Sequence, residues 1–410
     1  MDKQLIVRGT TRMEFKKFIT YLIPWFIVLG IGLYAMYLVF RYGLNHTNMD
    51  NRFAFGLWIY FDLTIIALGA GAFFTGLLLY VFKRHEFKAV INSAVVIGFI
   101  FYSGAIAALV VDVGQPLRAW FTLYRPNAHS MLAEVTFCLS LYLTVLAVEY
   151  VPIMLKNRRL KQIPSFLVFE FKLHKVMPLL AGVGALLSFF HQGSLGGMFG
   201  VLNGQPFAFR ETFFVFPSTF FLFVLSAIAV GPSFVLLTTW IVSKISGKRL
   251  VTKDVMMSLA RISGILLIVY VLFKSIDTLI WLNQTSPAVG FSAADHHGYA
   301  PFGIWILLVE IIILGLIPGL ILVNKKLRAK TPWLISGAVL ACLGIGLNRF
   351  VTTIQTLSLP TLPFADFLMY MPTWEEVAVF MMVVAYGIIV YAFSFRYLPL
   401  FPQERELNRR

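Results

Sequence analysis

An imidazole, a carboxamide and a hydroxyl group follow one another closely at the end of an apolar stretch of the sequence. They belong to His191, Gln192 and Ser194, and Gly193 and Gly196 lie among them. Polar groups that interrupt an apolar segment cost free energy and are typical of functional sites, and glycine lets the backbone approach a bound molecule closely. The stretch therefore predicts an apolar helix that ends at a ligand-binding segment, with His191 as its central residue.

The elements that position these groups follow from the composition of the 410-residue chain. Hydrophobic residues make up 59% of it, charged residues only 13%, and the mean hydropathy is +0.81. An ordinary soluble domain has about 25% charged residues, so we expect a polytopic, all-α integral membrane protein. Basic residues beside membrane spans account for the net charge of +15, so no nucleic-acid partner is expected.

The two cysteines do not form a pattern that binds metal. Cys138 and Cys342 both fall inside apolar runs and are far apart in the sequence, so they predict neither a disulfide framework nor a zinc or iron-sulfur site. We therefore expect no metal in this chain, and any redox metal must belong to a partner.

Ten apolar runs are long enough to cross the membrane as helices. A span needs about 20 residues, and lipid offers no partners to the backbone, so continuous apolar runs must be helices rather than barrel strands. The predicted spans lie near residues 18–40, 55–82, 89–112, 130–155, 175–192, 212–243, 261–284, 301–323, 333–350 and 374–396. The first run is too long for a signal peptide and lacks a small-residue cleavage site, so it is expected to remain as the first helix.

The distribution of lysine and arginine predicts the orientation of the chain. Both termini and every second connection between spans together carry 27 of the 34 basic residues. By the positive-inside rule this side is cytoplasmic, which places both termini inside, in a bacterial cytoplasmic membrane. The opposite connections, near residues 41–54, 113–129, 193–211, 285–300 and 351–373, are expected to be periplasmic or extracellular.

Ionisable groups inside the spans gather toward the outer half of the membrane. This set comprises Asp62, Asp112, Glu134, His191, Lys274, Asp277 and Arg349, with Glu310 near mid-depth, whereas Glu149 is the comparable group on the cytoplasmic half. A charged group within a span costs about 2.5 to 3.5 kcal/mol on insertion scales and is usually kept for a function or an internal pair. The cluster predicts a functional site near the outer face.

Individual members of this set have simpler explanations. Lys274 and Asp277 are three residues apart and could form an internal ion pair, and Asp112 and Arg349 could each extend from a helix end to the interface. The small residues at 69–72 are better explained by close helix packing than by ligand binding.

The order of the spans suggests an internal repeat. Spans 2 to 5 and 6 to 9 run in the same sequence of directions, so a second four-helix bundle would repeat the first in parallel. The repeat would relate Asp112 to Asp277, Glu134 to Glu310, and His191 to Arg349. We accordingly divide the single membrane domain into 1–54 (helix 1 and an outer loop), 55–211 (first bundle), 212–373 (second bundle) and 374–410 (helix 10 and a cytoplasmic tail).

Two motifs make the sequence resemble a known family. Residues 112–120 (DVGQPLRAW) after span 3 and residues 190–197 (FHQGSLGG) at the end of span 5 are similar to segments of the NrfD/PsrC family, the membrane subunits of polysulfide reductase and its relatives. Ten spans resemble the longer, HybB-like branch, which includes the QrcD subunit of menaquinone reductase. The resemblance implies two four-helix bundles without haem that exchange electrons with menaquinone beneath a periplasmic iron-sulfur protein.

The resemblance also implies roles for particular residues. His191 and Gln192 would meet a quinone carbonyl, and Gly193, Ser194 and Arg118 would complete the pocket and its loop. Asp112, Asp62 and Glu134 would relay protons. Quinone reduction needs a hydrogen-bond donor at the carbonyl and a proton source for the developing oxyanion, and an imidazole can act as both.

A proton path through the rest of the chain is less clearly marked. Glu149, with Ser140 and Thr144 on the same span, could begin a path from the cytoplasm, although hydroxyls in helices often bond only their own backbone. The further candidates for a proton path are Lys274, Asp277, Glu310 and Arg349.

The resemblance implies that the chain is a subunit of a membrane-bound menaquinone oxidoreductase with no redox centre of its own. Its expected partners are a periplasmic, ferredoxin-like iron-sulfur subunit, a molybdopterin-oxidoreductase-like subunit and a multihaem cytochrome c, besides the lipid bilayer. The outer stretches 285–300 and 351–373, with His296, His297 and the neighbouring Trp374, are candidate docking surfaces. The similarity to QrcD favours quinone reduction over quinol oxidation.

Two other classes remain open. A haem-b membrane anchor would need paired histidines, and His129 could be the partner of His191 at the outer surface. A secondary transporter would explain parallel repeats and a buried Glu310, but transporter sites usually lie at the membrane midplane on broken helices.

Overall fold

The computed structural model describes most of the chain. The described residues are 2–7, 9–51, 53–127, 129–157, 160–162, 164–201, 210, 212–213, 216–288, 290, 303, 305–358 and 367–408. The candidate docking residues His296 and His297, and most of the connections that contain them, lie outside these ranges.

Within the described residues, ten long apolar helices confirm the predicted number of spans. They are α1 (Phe15–Tyr42), α2 (Leu57–Val81), α3 (Ile91–Asp112), α4 (Met131–Leu155), α5 (Pro164–Gly200), α6 (Ser218–Ser246), α7 (Lys253–Ala288), α8 (Trp305–Val323), α9 (Thr331–Ser358) and α10 (Trp374–Tyr397). Segments of π-helix at Leu77–Val81, Trp281–Thr285, Val309–Leu316 and Val351–Gln355 lie within α2, α7, α8 and α9. Lipid offers no partners to backbone groups, which accounts for the predominance of helix.

Short elements precede, connect and follow the spans. They are helical segments at Asp2–Leu5, Leu44–His46, His85–Ala89, Pro116–Arg118, Phe121–Tyr124, Leu160–Gln162, Lys325–Arg328 and Glu404–Leu407. Two antiparallel strands, β1 (Thr212–Phe213) and β2 (Phe216–Pro217), form a small hairpin before α6.

Several helix ends differ from the sequence prediction. The fifth helix continues to Gly200 instead of ending near residue 192, the sixth begins at Ser218 instead of 212, and the seventh and ninth continue to Ala288 and Ser358. Polar and small residues in the sequence predict earlier ends for the fifth, seventh and ninth helices. These helices continue because a helix satisfies its backbone hydrogen bonds internally, whatever the side chains are. Their polar side chains then face neighbouring helices rather than a loop.

The alternating helices define two ends of the molecule. We call the end with both chain termini the terminal face and the opposite end the distal face. At the terminal face the guanidinium of Arg12 pairs with the Glu404 carboxylate, and Arg396 Nη2 lies 2.6 Å from Asp2 Oδ2. The bond to Arg396 lowers the pKa of Asp2. These bonds join the first and last segments of the chain.

The distal face is closed by the start of α10. Thr373 and Glu376 form a reciprocal capping box, and the indole Nε1 of Trp58 on α2 donates to the backbone oxygen of Glu376 at 3.0 Å. Tyr370 donates its hydroxyl hydrogen to Glu376 and accepts from the backbone N of Leu57 at 2.7 Å. The loops at this face therefore fix α10 against the beginning of α2.

The helices pack as two rings with one additional pair. In the first ring, helices α2 to α5 each contact the next, and α5 contacts α2. In the second ring, α6 to α9 each contact the next, and α9 contacts α6. Helix α6 joins the two rings by packing on both α2 and α5. At this junction, an added Cβ on Gly71 would lie 2.6 Å from the Gly231 oxygen, so the expected packing role of the 69–72 stretch is confirmed. Helices α1 and α10 pack on each other, and α10 also packs on α3.

Candidate functional site

His191 lies deep inside the first ring and is completely buried. It precedes the end of α5 at Gly200 by nine residues, which is about 14 Å along the helix. The expectation that His191 and Gln192 terminate their helix is therefore wrong. The imidazole faces neighbouring helices, with the ring of Tyr102 on α3 at a centroid distance of 5.8 Å and the backbone of Val135 on α4 beside it.

Four polar side chains meet at this position. Ser188, His191 and Gln192 share one face of α5 because they are three and four residues apart, and Tyr102 approaches from α3. The hydroxyl oxygens of Tyr102 and Ser188 are 2.8 Å apart, and the Gln192 carboxamide lies near the Tyr102 hydroxyl. This set, Tyr102, Ser188, His191 and Gln192, is called the imidazole cluster below.

The imidazole cluster has unused hydrogen-bonding capacity. Among the described residues, neither ring nitrogen of His191 and neither amide atom of Gln192 has a partner with normal hydrogen-bond geometry. Buried polar atoms are paired in the great majority of cases, and leaving one unpaired costs about 1 to 3 kcal/mol. The arrangement can therefore donate to and accept from the oxygen atoms of a bound molecule.

A row of carboxyl groups leads from the imidazole cluster toward the distal face. Asp62 on α2 is 1% exposed and lies close enough to Tyr102 and to Asp112 for their charges to interact. Asp112, at the end of α3, lies close enough to Glu376 for their charges to interact. Asp62 and Asp112 are thus brought together as the family resemblance implied, and Glu376 is a member that the sequence analysis missed.

A second row leads toward the terminal face. Tyr142 on α4 packs edge-on against Tyr102 at 4.5 Å between ring centroids, and Glu149, two turns further along α4, interacts with both Tyr142 and Tyr80. The expected companions of Glu149 are wrong, because the Thr144 hydroxyl bonds the backbone oxygen of Ser140 and its side chain is exposed. The side chains that interact with Glu149 are therefore Tyr142 and Tyr80 rather than Ser140 and Thr144.

The glycines after His191 serve helix packing. An added Cβ on Gly193 would overlap the ring of Phe220 on α6, and one on Gly196 would overlap the backbone oxygen of Thr219. Their expected role in a ligand loop is therefore wrong, since they let α5 and α6 approach closely. Ser194 is fully buried within the same stretch.

Two predicted site residues lie apart from the imidazole cluster. Arg118 is exposed in the short helix Pro116–Arg118 beyond α3, so it lies in the predicted loop and away from the imidazole cluster. Glu134 is half-buried in the first turn of α4, beside Val135 and one turn from Cys138.

The second ring contains a separate ion pair. Arg210 Nε lies 3.0 Å from Asp277 Oδ2, and the Ser218 hydroxyl also donates to Asp277. The predicted pairing of Lys274 with Asp277 is incomplete, because Arg210, from a connection outside the spans, makes the direct contact. Lys274 is buried nearby on α7.

Glu310 and Arg349 belong to one buried network. Glu310 Oε1 accepts from the Tyr270 hydroxyl at 2.9 Å and from Asn348 Nδ2 at 2.8 Å. Arg349 donates to the Asn348 side-chain oxygen and to Ser226 Oγ, the latter at 3.1 Å. A cavity of about 10 Å³, the size for one water molecule, borders this network. The candidate proton-path residues therefore form distinct groups rather than one path.

A family profile described as polysulphide reductase, NrfD, matches residues 45–359. The chain belongs to the NrfD family. This matched range contains the imidazole cluster and both helix rings, so the family resemblance expected from the two motifs is confirmed.

Two of the curated relatives of this NrfD protein cover nearly its full length. It is 46% identical over 412 residues to the menaquinone reductase integral membrane subunit of Nitratidesulfovibrio vulgaris, covering all of this chain and 98% of that protein. It is 27% identical to a probable Ni/Fe-hydrogenase 2 b-type cytochrome subunit of Escherichia coli, covering 93% of each. A selenate reductase subunit of Mesobacillus selenatarsenatis is 26% identical over half of this chain and 52% of its own length.

Proposed function

We propose that this chain is the quinone-interacting membrane subunit of a respiratory oxidoreductase, in which menaquinone is reduced at the imidazole cluster. The observation that carries the proposal is the set of polar atoms on His191 and Gln192 that are buried in the first ring and have no partner in normal hydrogen-bond geometry among the described residues. The full-length similarity to a menaquinone reductase membrane subunit supports the choice of quinone. Menaquinone, when bound, would supply the two-electron chemistry.

The residues of the imidazole cluster fit a quinone carbonyl. His191 can donate a hydrogen bond through one ring nitrogen, and the Gln192 amide can donate beside it. Tyr102, held by Ser188, positions the imidazole from α3. Hydrogen bonds aimed at a developing oxyanion stabilise it most strongly where water is excluded, and His191 is completely buried.

Proton delivery is assigned to the two polar rows. The row Asp62, Asp112 and Glu376 connects the imidazole cluster with the distal face, and the row Tyr142, Glu149 and Tyr80 connects it with the terminal face. If the terminal face is cytoplasmic, uptake through Glu149 would consume protons from inside the cell. Glu134 lies apart from the imidazole cluster, beside Val135 at the start of α4, and is proposed as an additional proton donor.

The distal face is proposed to bind the electron-donating partners, with a periplasmic iron-sulfur protein nearest to α3 and α4. Leu117 is 90% exposed, and Trp120 and Tyr124 are also exposed in the same connection as Arg118. Large exposed apolar side chains beside a cation are typical of an interaction surface. Molybdopterin-oxidoreductase-like and multihaem cytochrome c proteins are proposed as further members of the complex.

A fluorescence-quench titration with a quinol-analogue inhibitor tests the quinone site. We expect saturable binding near one site per chain in the purified complex, and His191→Ala should weaken it at least about tenfold because it removes hydrogen bonds to the ligand. His85→Ala is the matched control, since His85 is exposed on the terminal face. Equal affinity in the native complex and His191→Ala would contradict the proposed site.

A haem-b anchor is the second candidate, because the printed name of the Escherichia coli relative describes a b-type cytochrome subunit. His129, the proposed axial partner of His191, is exposed at the distal face, whereas His191 is buried deep in the ring. We expect a reduced-minus-oxidised visible spectrum of the purified chain, separated from cytochrome partners, to show no haem b bands. A stoichiometric haem b signal that is lost in His191→Ala would instead favour the anchor.

A further inference from the structure

A long apolar groove lies outside the imidazole cluster, since none of the residues of that cluster lines it. Its cavity has a volume of about 930 Å³ and is bordered by α1, α2, α3, α6 and α10. Trp25, Phe101, Phe234 and Ile388 are among its lining side chains. Because α1 packs mainly on α10, the groove separates this pair of helices from α6.

The groove extends from the terminal face deep into the spans. Its mouth is formed by Arg12, just before α1 begins, and by Lys248, just after α6 ends. Its inner end reaches Phe61, in the second turn of α2 near the distal face. The basic mouth therefore lies at the depth of lipid headgroups, and the apolar body lies at the depth of acyl chains.

The mouth carries more positive than negative charge. Arg12 and Lys248 share one carboxylate, because the Arg12 guanidinium pairs with Glu404 and Lys248 Nζ lies 3.4 Å from Glu404 Oε1. Arg396 is balanced separately by Asp2. Burial and the neighbouring charge of Arg12 lower the pKa of Lys248, so an anion at the mouth would complete the charge balance.

The lining of the groove is mostly apolar, and two of its hydroxyl groups already have partners. The Tyr391 hydroxyl is 2.7 Å from Ser93 Oγ, and the Thr238 hydroxyl donates to the backbone oxygen of Phe234 at 3.0 Å. A quinone ring needs polar partners for its carbonyl oxygens, as the imidazole cluster offers, whereas hydrocarbon chains need only apolar walls. The lining therefore favours acyl chains.

We propose that this groove binds one anionic phospholipid, with its phosphate at Lys248 and its acyl chains against α1, α6 and α10. The bound lipid fills the space between the α1–α10 pair and the second ring, and thereby fixes these two outer helices to the rest of the protein. The proposal is independent of the quinone site, which lies on the other side of α3.

Lipid binding to the delipidated full chain tests this proposal. We expect phosphatidylglycerol to raise the temperature of thermal unfolding saturably and to remain bound as one molecule in native mass spectrometry. Phosphatidylcholine, inorganic phosphate and menaquinone should not reproduce both effects, because each lacks either the anionic headgroup or the acyl chains. Lys248→Gln should weaken phosphatidylglycerol binding about fivefold, as expected for one basic residue beside an anionic lipid.

Two further variants separate the groove from the general basic surface. Ala392→Trp places a large ring among the lining residues and should abolish the response to phosphatidylglycerol, while the unfolding temperature without lipid shows whether the variant is folded. Lys244→Gln is the matched control, because Lys244 is exposed one turn earlier on α6. The proposal is overturned by equal responses to both phospholipids, by displacement of phosphatidylglycerol by menaquinone, or by unchanged affinity in Lys248→Gln.

Discussion

The burial of His191 distinguishes it from the other histidines whose side chains the structure describes. His46, for comparison, is partly exposed and bonds Glu375, with 3.0 Å between Nδ1 and Oε1. A buried imidazole that has no partner in normal hydrogen-bond geometry among the described residues costs free energy in the ligand-free protein. That cost is explained if a bound molecule provides the missing partners.

Asp62 provides a residue-scale test of proton delivery. Asp62→Asn keeps the shape of the side chain but removes the transferable proton, so we expect kcat for quinone reduction to fall about 100-fold, a typical contribution of general acid catalysis. Inhibitor affinity should stay within about twofold of the native value, because Asp62 acts behind Tyr102 rather than on the ligand. Steady-state quinone reduction and inhibitor titration of the purified complex measure the two quantities.

The control for this experiment is Asp254→Asn, which changes an exposed carboxyl at the start of α7. Glu149→Gln tests the row toward the terminal face in the same assay. Unchanged kcat in Asp62→Asn would remove the distal row from the mechanism, and unchanged kcat in Glu149→Gln would remove the terminal row.

At the scale of elements, the junction of α2 and α6 holds the two rings together. Gly71 and Gly231 face each other so closely that an added Cβ at either position would lie within 2.6 Å of the other backbone. Small residues at such positions allow helices to approach in a membrane, where packing rather than water exclusion drives association.

Gly71→Val should therefore destabilise the junction. The larger side chain forces the helices apart, and such overpacking typically costs about 1 to 3 kcal/mol. Thermal unfolding in detergent should show a lower transition temperature for Gly71→Val. Gly182→Ala on α5 is the control, because an added Cβ there meets open space, and it should keep the native transition. A native transition in both variants would show that the close approach is not required.

At the scale of the whole molecule, the orientation in the membrane remains a prediction. The terminal face carries the termini and the basic connections, which the positive-inside rule places in the cytoplasm. Single cysteines can be introduced into a variant with Cys138 and Cys342 replaced by alanine. Gln115 on the distal face and Lys325 on the terminal face are both exposed, so each is a suitable position for a single cysteine.

Membrane-impermeant maleimide should label Gln115→Cys in intact spheroplasts, whereas Lys325→Cys should react only after lysis. This result follows if the distal face is periplasmic, where the iron-sulfur partner is proposed to bind. The reverse pattern would invert the molecule and would place the proposed partner surface in the cytoplasm.

The sequence by itself determined the ten spans, their predominance of helix and the family. Long apolar runs and the two motifs around Asp112 and His191 are local features, and each can be read without knowing which helices are neighbours. The importance of His191 could also be inferred, because a polar residue in an apolar run is conspicuous. Ser188 could have been added from its spacing of three residues before His191.

Only the tertiary structure decided which side chains meet. Tyr102 and Tyr142 are two of 16 tyrosines, and nothing in their local sequence separates them from aromatic residues that face lipid. The contact of Arg210 with Asp277 likewise joins a connecting segment to a helix far along the chain. Such contacts depend on the relative rotation and approach of packed helices, which the apolar runs leave unspecified because lipid and protein interior are both apolar.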